Sequence, residues 1–247
     1  MTAKRNYQKE LDELIARNME AGIRPRLLVH SCCAPCSSYV MEYLSRYFDL
    51  TMFFYNPNMD SREEYEKRAA ELKRLIGEMN RGIMKETSDN GTSSGTFPGR
   101  TPIRLIVEEY DPEPFEKAAF GHENDPERGE RCRRCYALRL RRTAEYMRQY
   151  NLLHKDDTHS DELPFDYFAT TLTLSPLKDA AALNEIAEQL AAQFRLHCLV
   201  TDFKKKDGYK RSIVLSQEYG LYRQDYCGCR YSKAARKAHK SRDMDQE

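Results

Sequence analysis

What the 247-residue chain lacks narrows it first. No stretch approaches the ~18 consecutive apolar residues that a membrane helix requires. The N-terminus has neither a continuous apolar core nor a small-residue cleavage site. Tyr7, Leu11, Leu14, Ile15 and Met19 recur there at helical spacing among charges, which predicts a helix within residues 1–25 and a cytoplasmic protein. There is no G-x-x-x-x-G-K-[ST] loop and no G-x-G-x-x-G turn, so the sequence gives no sign of a phosphate loop or a dinucleotide site. Internal repeats and heptads are absent too. The six histidines show no ligand-like spacing; His30 precedes a cysteine turn and reads as a satisfied core residue. Net charge is nearly absent as well, at +1, and by itself says nothing about nucleic acid.

What is present describes a globular protein with a very polar surface: 40% hydrophobic and 32% charged residues, with a mean hydropathy of −0.80. Charge is segregated. Arg128 to Arg148 holds eight arginines against two glutamates, and Phe203 to Arg242 holds twelve Lys and Arg against three acids. Glu108 to Glu127 is acidic instead. Such segregation suggests a one-sided basic surface, although runs of charge commonly mark solvated helix faces.

Strand and helix patterns alternate. Arg26 to Ser31, Leu50 to Tyr55, Tyr167 to Leu174 and Leu196 to Val200 read as strands; Ser37 to Tyr47, Arg62 to Met79, Arg133 to Tyr150 and Asp179 to Phe194 read as helices. The expectation is one α/β domain spanning 1–247, three-layered, with a mainly parallel sheet and helices on both faces. Its site should lie at the carboxyl ends of the strands, where Cys32, Asn56 and Ser175 fall. Residues 85–101 and 155–164 read as surface insertions, and 233–247 as a polar tail.

The eight cysteines require explanation, because a reducing compartment does not favour structural disulfides. Seven are grouped: Cys32, Cys33 and Cys36; Cys132 and Cys135; Cys227 and Cys229. Cys32 to Cys36 occupies a strand-to-helix turn, where free N–H groups and the helix dipole favour thiolates. Cys132-Arg133-Arg134-Cys135 repeats the arrangement beside arginines. Together the two groups could supply four thiolates to a four-iron cluster or to zinc; adjacent Cys32-Cys33 departs from the paired knuckles of structural zinc. Cys227-Gly228-Cys229 could close a small, strained and therefore labile disulfide, or add two further metal ligands. Cys198, alone in an apolar segment, reads as an inert thiol. A zinc-stapled RNA-binding module and a thiol–disulfide oxidoreductase remain rival readings.

Several motifs carry a more specific resemblance. They are His30-Ser31-Cys32-Cys33-Ala34-Pro35-Cys36, Phe54-Tyr55-Asn56-Pro57-Asn58, Glu130-Arg131-Cys132-x-x-Cys135-Tyr136-x-Leu138-Arg139 and Thr170-Thr171-Leu172-Thr173-Leu174-Ser175-Pro176-x-Lys178. Asp202-Phe203-Lys204-Lys205 and Tyr222-Arg223-Gln224-Asp225-Tyr226-Cys227-Gly228-Cys229 complete the set. With them the chain resembles the QueH-type epoxyqueuosine reductases from Leu27 to Ser232. The resemblance implies a nucleotide-hydrolase, PP-loop-like α/β fold. It implies a [4Fe–4S] cluster on Cys32, Cys33, Cys132 and Cys135, and a redox-active disulfide between Cys227 and Cys229. Some relatives carry aspartate at the position of Cys36, near an additional mononuclear iron, which makes Cys36 a candidate extra ligand. The implied substrate is the anticodon loop of tRNA carrying epoxyqueuosine, reduced with electrons from an unidentified donor in the last step of queuosine biosynthesis. Tyr55, Lys178, Asp202, Lys204 and Arg223 are candidate proton donors or oxygen binders, and Lys204, Lys205 and Lys206 candidate tRNA contacts.

Overall fold

Four short strands, each followed by a helical segment, build the centre of the molecule. The computed structural model describes residues 5–89, 98–155 and 163–244. Helix α1 (Tyr7–Glu20) leads into β1 (Arg26–Ser31), α2 (Ala34–Leu44), β2 (Asp49–Phe54), α3 (Arg62–Asp89) and β3 (Arg104–Val107). There follow α4 (Glu113–Ala119), α5 (Glu130–Leu153), β4 (Tyr167–Thr170) with a 3-10 turn over Thr171–Leu174, α6 (Ala180–Phe194), α7 (Gly208–Glu218) and α8 (Arg230–Met244).

The strands pair in the order β3-β2-β1-β4, all parallel. Leu27 lies opposite Leu50 on one side and Tyr167 on the other. Every residue of β1 is buried, as a central parallel strand covered on both faces requires. Side chains of a strand alternate between faces, and the core divides accordingly. Leu27, Val29, Leu50, Met52 and Phe54 pack with α2 and α3. Leu28, Phe53 and Phe168 pack with α5 and α6. The expected three-layer α/β arrangement is therefore present.

Local boundaries differ from the sequence reading in informative ways. Helix α2 starts three residues before Ser37, with Cys33 as its N-cap residue and Pro35 in its first turn, where a proline costs no hydrogen bond. Of Tyr167–Leu174 only the first half is strand; Thr170 then caps the 3-10 turn by accepting from the Leu172 N–H. Leu196–Val200 forms no strand, only an isolated bridge between Phe168 and Cys198. Helix α3 runs through Asp89 into the segment read as the 85–101 insertion, whose residues 90–97 lie outside the described residues, as do 156–162 of the second insertion. Most of the segment read as a polar tail belongs to α8. It lacks an apolar stripe, but its Ala, Lys and Arg are strong helix formers.

Candidate metal centre

Three sulfur atoms converge where β1 turns into α2. The sulfurs of Cys32, Cys33 and Cys36 lie within 4.8 Å of one another, with 3.7 Å between the first two. Two thiolates on one tetrahedral ion with bonds of about 2.3 Å would stand about 3.8 Å apart. The turn is held from both sides. Asn56 donates to the Ser31 carbonyl at 2.9 Å, the Ser31 and Ser37 hydroxyls are 2.7 Å apart, and Ser37 caps the Cys33 carbonyl at 2.8 Å. Thr171, from the segment after β4, donates its hydroxyl to the Cys32 sulfur. Parallel strands thus deliver three separate loops to one rim.

The trio does not ionise evenly. Sulfur–hydrogen contacts from Cys33 and Cys36 hold the Cys32 thiol well below its ordinary value, while Cys32 pushes Cys33 up to about 12 and Cys36 also rises. Ionising one of three adjacent thiols opposes ionising the others, and a cation is what allows all of them to deprotonate.

A second group gathers across the same rim. Cys135 and Cys229 are buried together with Phe115 and Ala119, and burial pushes their thiols up to about 12 and about 11. The Arg128 N–H donates to the Cys132 sulfur at 3.3 Å. Cys227 and Cys229 sit at the start of α8: the Ser232 N–H donates to the Cys229 sulfur, and the Cys227 N–H donates to the Ser232 hydroxyl. Both are free thiols in this structure. Gly228 between them has φ of +118°, and a Cβ there would crowd Arg68, Met59 and Asn58. Glycine is required at this turn.

Buried cations surround the sulfurs. Arg139 is 1% exposed; it donates to the Asn56 side-chain oxygen and, at 3.3 Å, to His30 Nε2. Although burial opposes its charge, Cys135, Cys32 and Cys227 hold its guanidinium in the charged form. Arg68, also buried, pairs with Glu64 and donates to the Cys227 carbonyl. Lys178 donates from Nζ to the Cys227 sulfur at 2.8 Å. Despite its burial, Cys227 and Tyr136 keep its pKa above the ordinary value. A buried Arg or Lys needs a partner anion, and one Arg139 nitrogen has none. The donor set therefore fits a thiolate-bound, net-negative metal group.

The structure separates the candidates that the sequence placed together. Cys32, Cys33, Cys36 and Cys227 line a cavity of about 170 Å³, as do Lys178 and Arg223, whose guanidinium donates to the Ser216 hydroxyl. Asp202, Lys204, Lys205 and Lys206 line a neighbouring groove instead, with Lys204 paired to Asp202 and Lys206 to Asp12. Tyr55 lines neither; it packs in the core on Phe53, and burial raises its hydroxyl to about 12. His30 is fully buried, with Nδ1 donating to the Thr170 hydroxyl in the tautomer whose Nε2 accepts from Arg139; burial and Arg139 press its pKa down to about 3. Burial raises Cys198 to about 12, in keeping with an inert thiol.

Sequence reasoning missed Arg68 and misplaced Arg139. The arginine-rich helix α5 is not uniformly a basic surface: Arg131 is buried against the His122, Glu123 and Asp125 carbonyls, and Arg142 pairs with Glu108. A signal existed for both. Arg139 shares the helical face of Cys132 and Cys135, and Arg68 falls in register with buried Leu72, Leu75 and Met79.

Comparison with known proteins shows the family. A family model described as "Epoxyqueuosine reductase QueH" matches residues 27–235. A protein of that name from Streptococcus pyogenes serotype M1 is 34% identical over 227 residues, covering 92% of this chain and 78% of the relative. One from Staphylococcus epidermidis is 34% identical over 91% of this chain and 83% of its own length. One from Thermotoga maritima is 27% identical over 85% and 92%.

Proposed function

The chain belongs to the QueH family of epoxyqueuosine reductases, and we propose accordingly that it is an oxidoreductase converting epoxyqueuosine in tRNA to queuosine. The observation that carries the reading, beside family membership, is the enclosure of grouped cysteines by Arg139, Arg68 and Lys178 at the carboxyl rim of a parallel sheet. Neither rival fits as well. A zinc staple has no need of a dithiol at the start of α8, and a general thiol–disulfide exchanger has no need of Cys32, Cys33 and Cys36.

In this reading Cys32, Cys33, Cys132 and Cys135 hold a [4Fe–4S] cluster, and Cys36 takes part in binding a further single iron. Such a group supplies one-electron transfer and a Lewis-acidic iron for the epoxide oxygen. The chain's own residues account for the remaining balance. An epoxide and two thiols give an alkene, a disulfide and water, so Cys227 and Cys229 together supply two electrons and two protons. An external donor then returns the pair to dithiol. Lys178, whose Nζ donates to the Cys227 sulfur, and Arg223, which lines the same cavity, support a reading in which both bind the departing oxygen and Lys178 relays protons to it from the dithiol. The substrate base enters splayed from its loop, as bases in single-stranded RNA are recognised. Among the described residues no helix is long and apolar enough to cross a membrane; a cytoplasmic setting, where tRNA is found, is part of the proposal.

The test is direct. Anaerobically purified protein is incubated with tRNA carrying epoxyqueuosine and a low-potential reductant, and the digested nucleosides are weighed. Loss of one oxygen mass is expected. No conversion by iron-loaded protein with a competent donor rejects the assignment.

A further inference from the structure

Beside the cysteine cavity lies a second concavity of about 700 Å³, built from four separated segments. Its walls are the start of α1, the loop before α5, the turn into α6 and the loop before α7. Each contributes cations: Arg5 and Lys9 from the first, Arg128 from the second, Lys178 from the third and three lysines from the last. The acids in its lining are Asp12, Asp179 and Asp202, and each is already engaged. Asp12 accepts from Lys206, Asp179 caps α6 through the Ala181 and Ala182 N–H groups, and Asp202 pairs with Lys204. Arg5 is similarly held by Glu10 and Glu188.

Three cations are left over. Among the described residues no ion pair is found for Lys205 or Arg128, and Lys9 makes only a long contact of 3.7 Å to Glu13 between exposed side chains, of small worth in water. Two of the basic positions also sit on left-handed backbone: φ is +74° at Arg128 and +52° at Lys206. Non-glycine residues adopt that region at a cost, and such strain concentrates at functional sites. Finally, Pro176 and Lys178 line both this groove and the cysteine cavity, so the two share a wall.

We infer that this groove binds the phosphate backbone of the single-stranded loop flanking the target base, with Lys9, Arg128 and Lys205 as its phosphate contacts. The inference rests on the tRNA-reductase reading and extends it, because it assigns the RNA to one face and shifts the contacts from Lys204 and Lys206, each held by an acid, to Lys205 and Arg128, for which no ion pair is found among the described residues, and Lys9, held only by its long contact to Glu13. A strand lying in the groove delivers its base over the shared wall toward Cys227, while phosphates remain on the basic side. Phosphate contacts of this type position RNA without reading sequence.

The test uses the full chain and an unmodified hairpin RNA with the sequence of an anticodon arm, so binding is measured without any reaction. For single strands log affinity falls with log salt by about 0.7 per neutralised phosphate. The triple variant Lys9→Ala, Arg128→Ala, Lys205→Ala should therefore flatten the slope by about 2. Near 0.1 M salt its affinity should lie about 100-fold below that of the wild type, and the deficit should vanish near 1 M, where counterion release no longer contributes. All three side chains are exposed, so the far-ultraviolet circular dichroism should match the wild type. Lys73→Ala, exposed on α3 and outside the groove, should bind RNA as the wild type does. An unchanged slope and affinity in the triple variant overturns the groove, whatever the protein does to an epoxide. A loss of affinity as large in Lys73→Ala overturns it too, because general charge would then explain the binding.

Discussion

Replacing Arg139 by methionine probes the centre most sharply, because the sign of its effect depends on whether metal is bound. The side chain is 1% exposed and charged, with hydrogen bonds to Asn56 and His30 and with Cys32, Cys135 and Cys227 as its stabilising charges. In metal-free protein burial holds the Cys135 thiol neutral, and the guanidinium is poorly compensated. Methionine then removes a costly buried charge but leaves two acceptors unpaired, at about 1–3 kcal/mol each. Replacing buried ions by apolar groups can recover a similar sum, so the melting temperature of the metal-free protein should move little. With iron bound, the same change takes the counter-charge from a net-negative thiolate group. Breaking a buried charge pair costs about 3–5 kcal/mol, which corresponds to about a hundred- to a few thousand-fold in iron affinity. The assay is anaerobic iron retention against a graded chelator, alongside thermal melts with and without iron. If Arg139→Met keeps iron as tightly as the wild type, the cysteine group does not depend on this cation and the electrostatic account of the centre fails. Lys would be a partial substitute, keeping charge but not the planar fork.

Other changes separate the remaining roles. Cys33→Ala and Cys135→Ala should each strip most of the iron and the activity, while Cys198→Ala should leave both nearly intact; iron analysis and the mass assay decide. Cys227→Ser and Cys229→Ser should retain iron yet lose turnover with a dithiol-regenerating donor, and iron loss as severe as in Cys33→Ala would make them ligands instead. Lys178→Met should lower turnover without lowering iron content, read from the same two measurements. Gly208→Ala tests the scaffold: a Cβ there would overlap the Phe203 carbonyl and the Tyr39 ring where α7 meets α2. It should destabilise the fold by about 3 kcal/mol in denaturant unfolding; a wild-type midpoint would refute that packing.

What the sequence by itself determined follows from short-range physics. Alternating apolar strands and amphipathic helices were legible because side-chain periods of 2 and 3.6 are local properties, and they sufficed for a parallel three-layer fold. They also placed the site, since parallel strands end on one edge and Cys32, Asn56 and Ser175 each follow a strand or its terminal turn. Weak local signals failed: β3 has four residues on a sheet edge, and α7 buries Ser212 and Ser216 beside Leu215. Only the tertiary structure decided which sulfurs meet. Sequence spacing paired Cys32 and Cys33 with Cys132 and Cys135, yet the tight trio includes Cys36, because α2 begins at Ala34 and brings its first turn back over Cys32. Burial was likewise beyond the composition. Arg139 and Arg68 resemble their exposed neighbours in a charge count, and they become buried because each lies on the face its helix turns toward the sheet. Long-range packing alone sets that face against the cysteines.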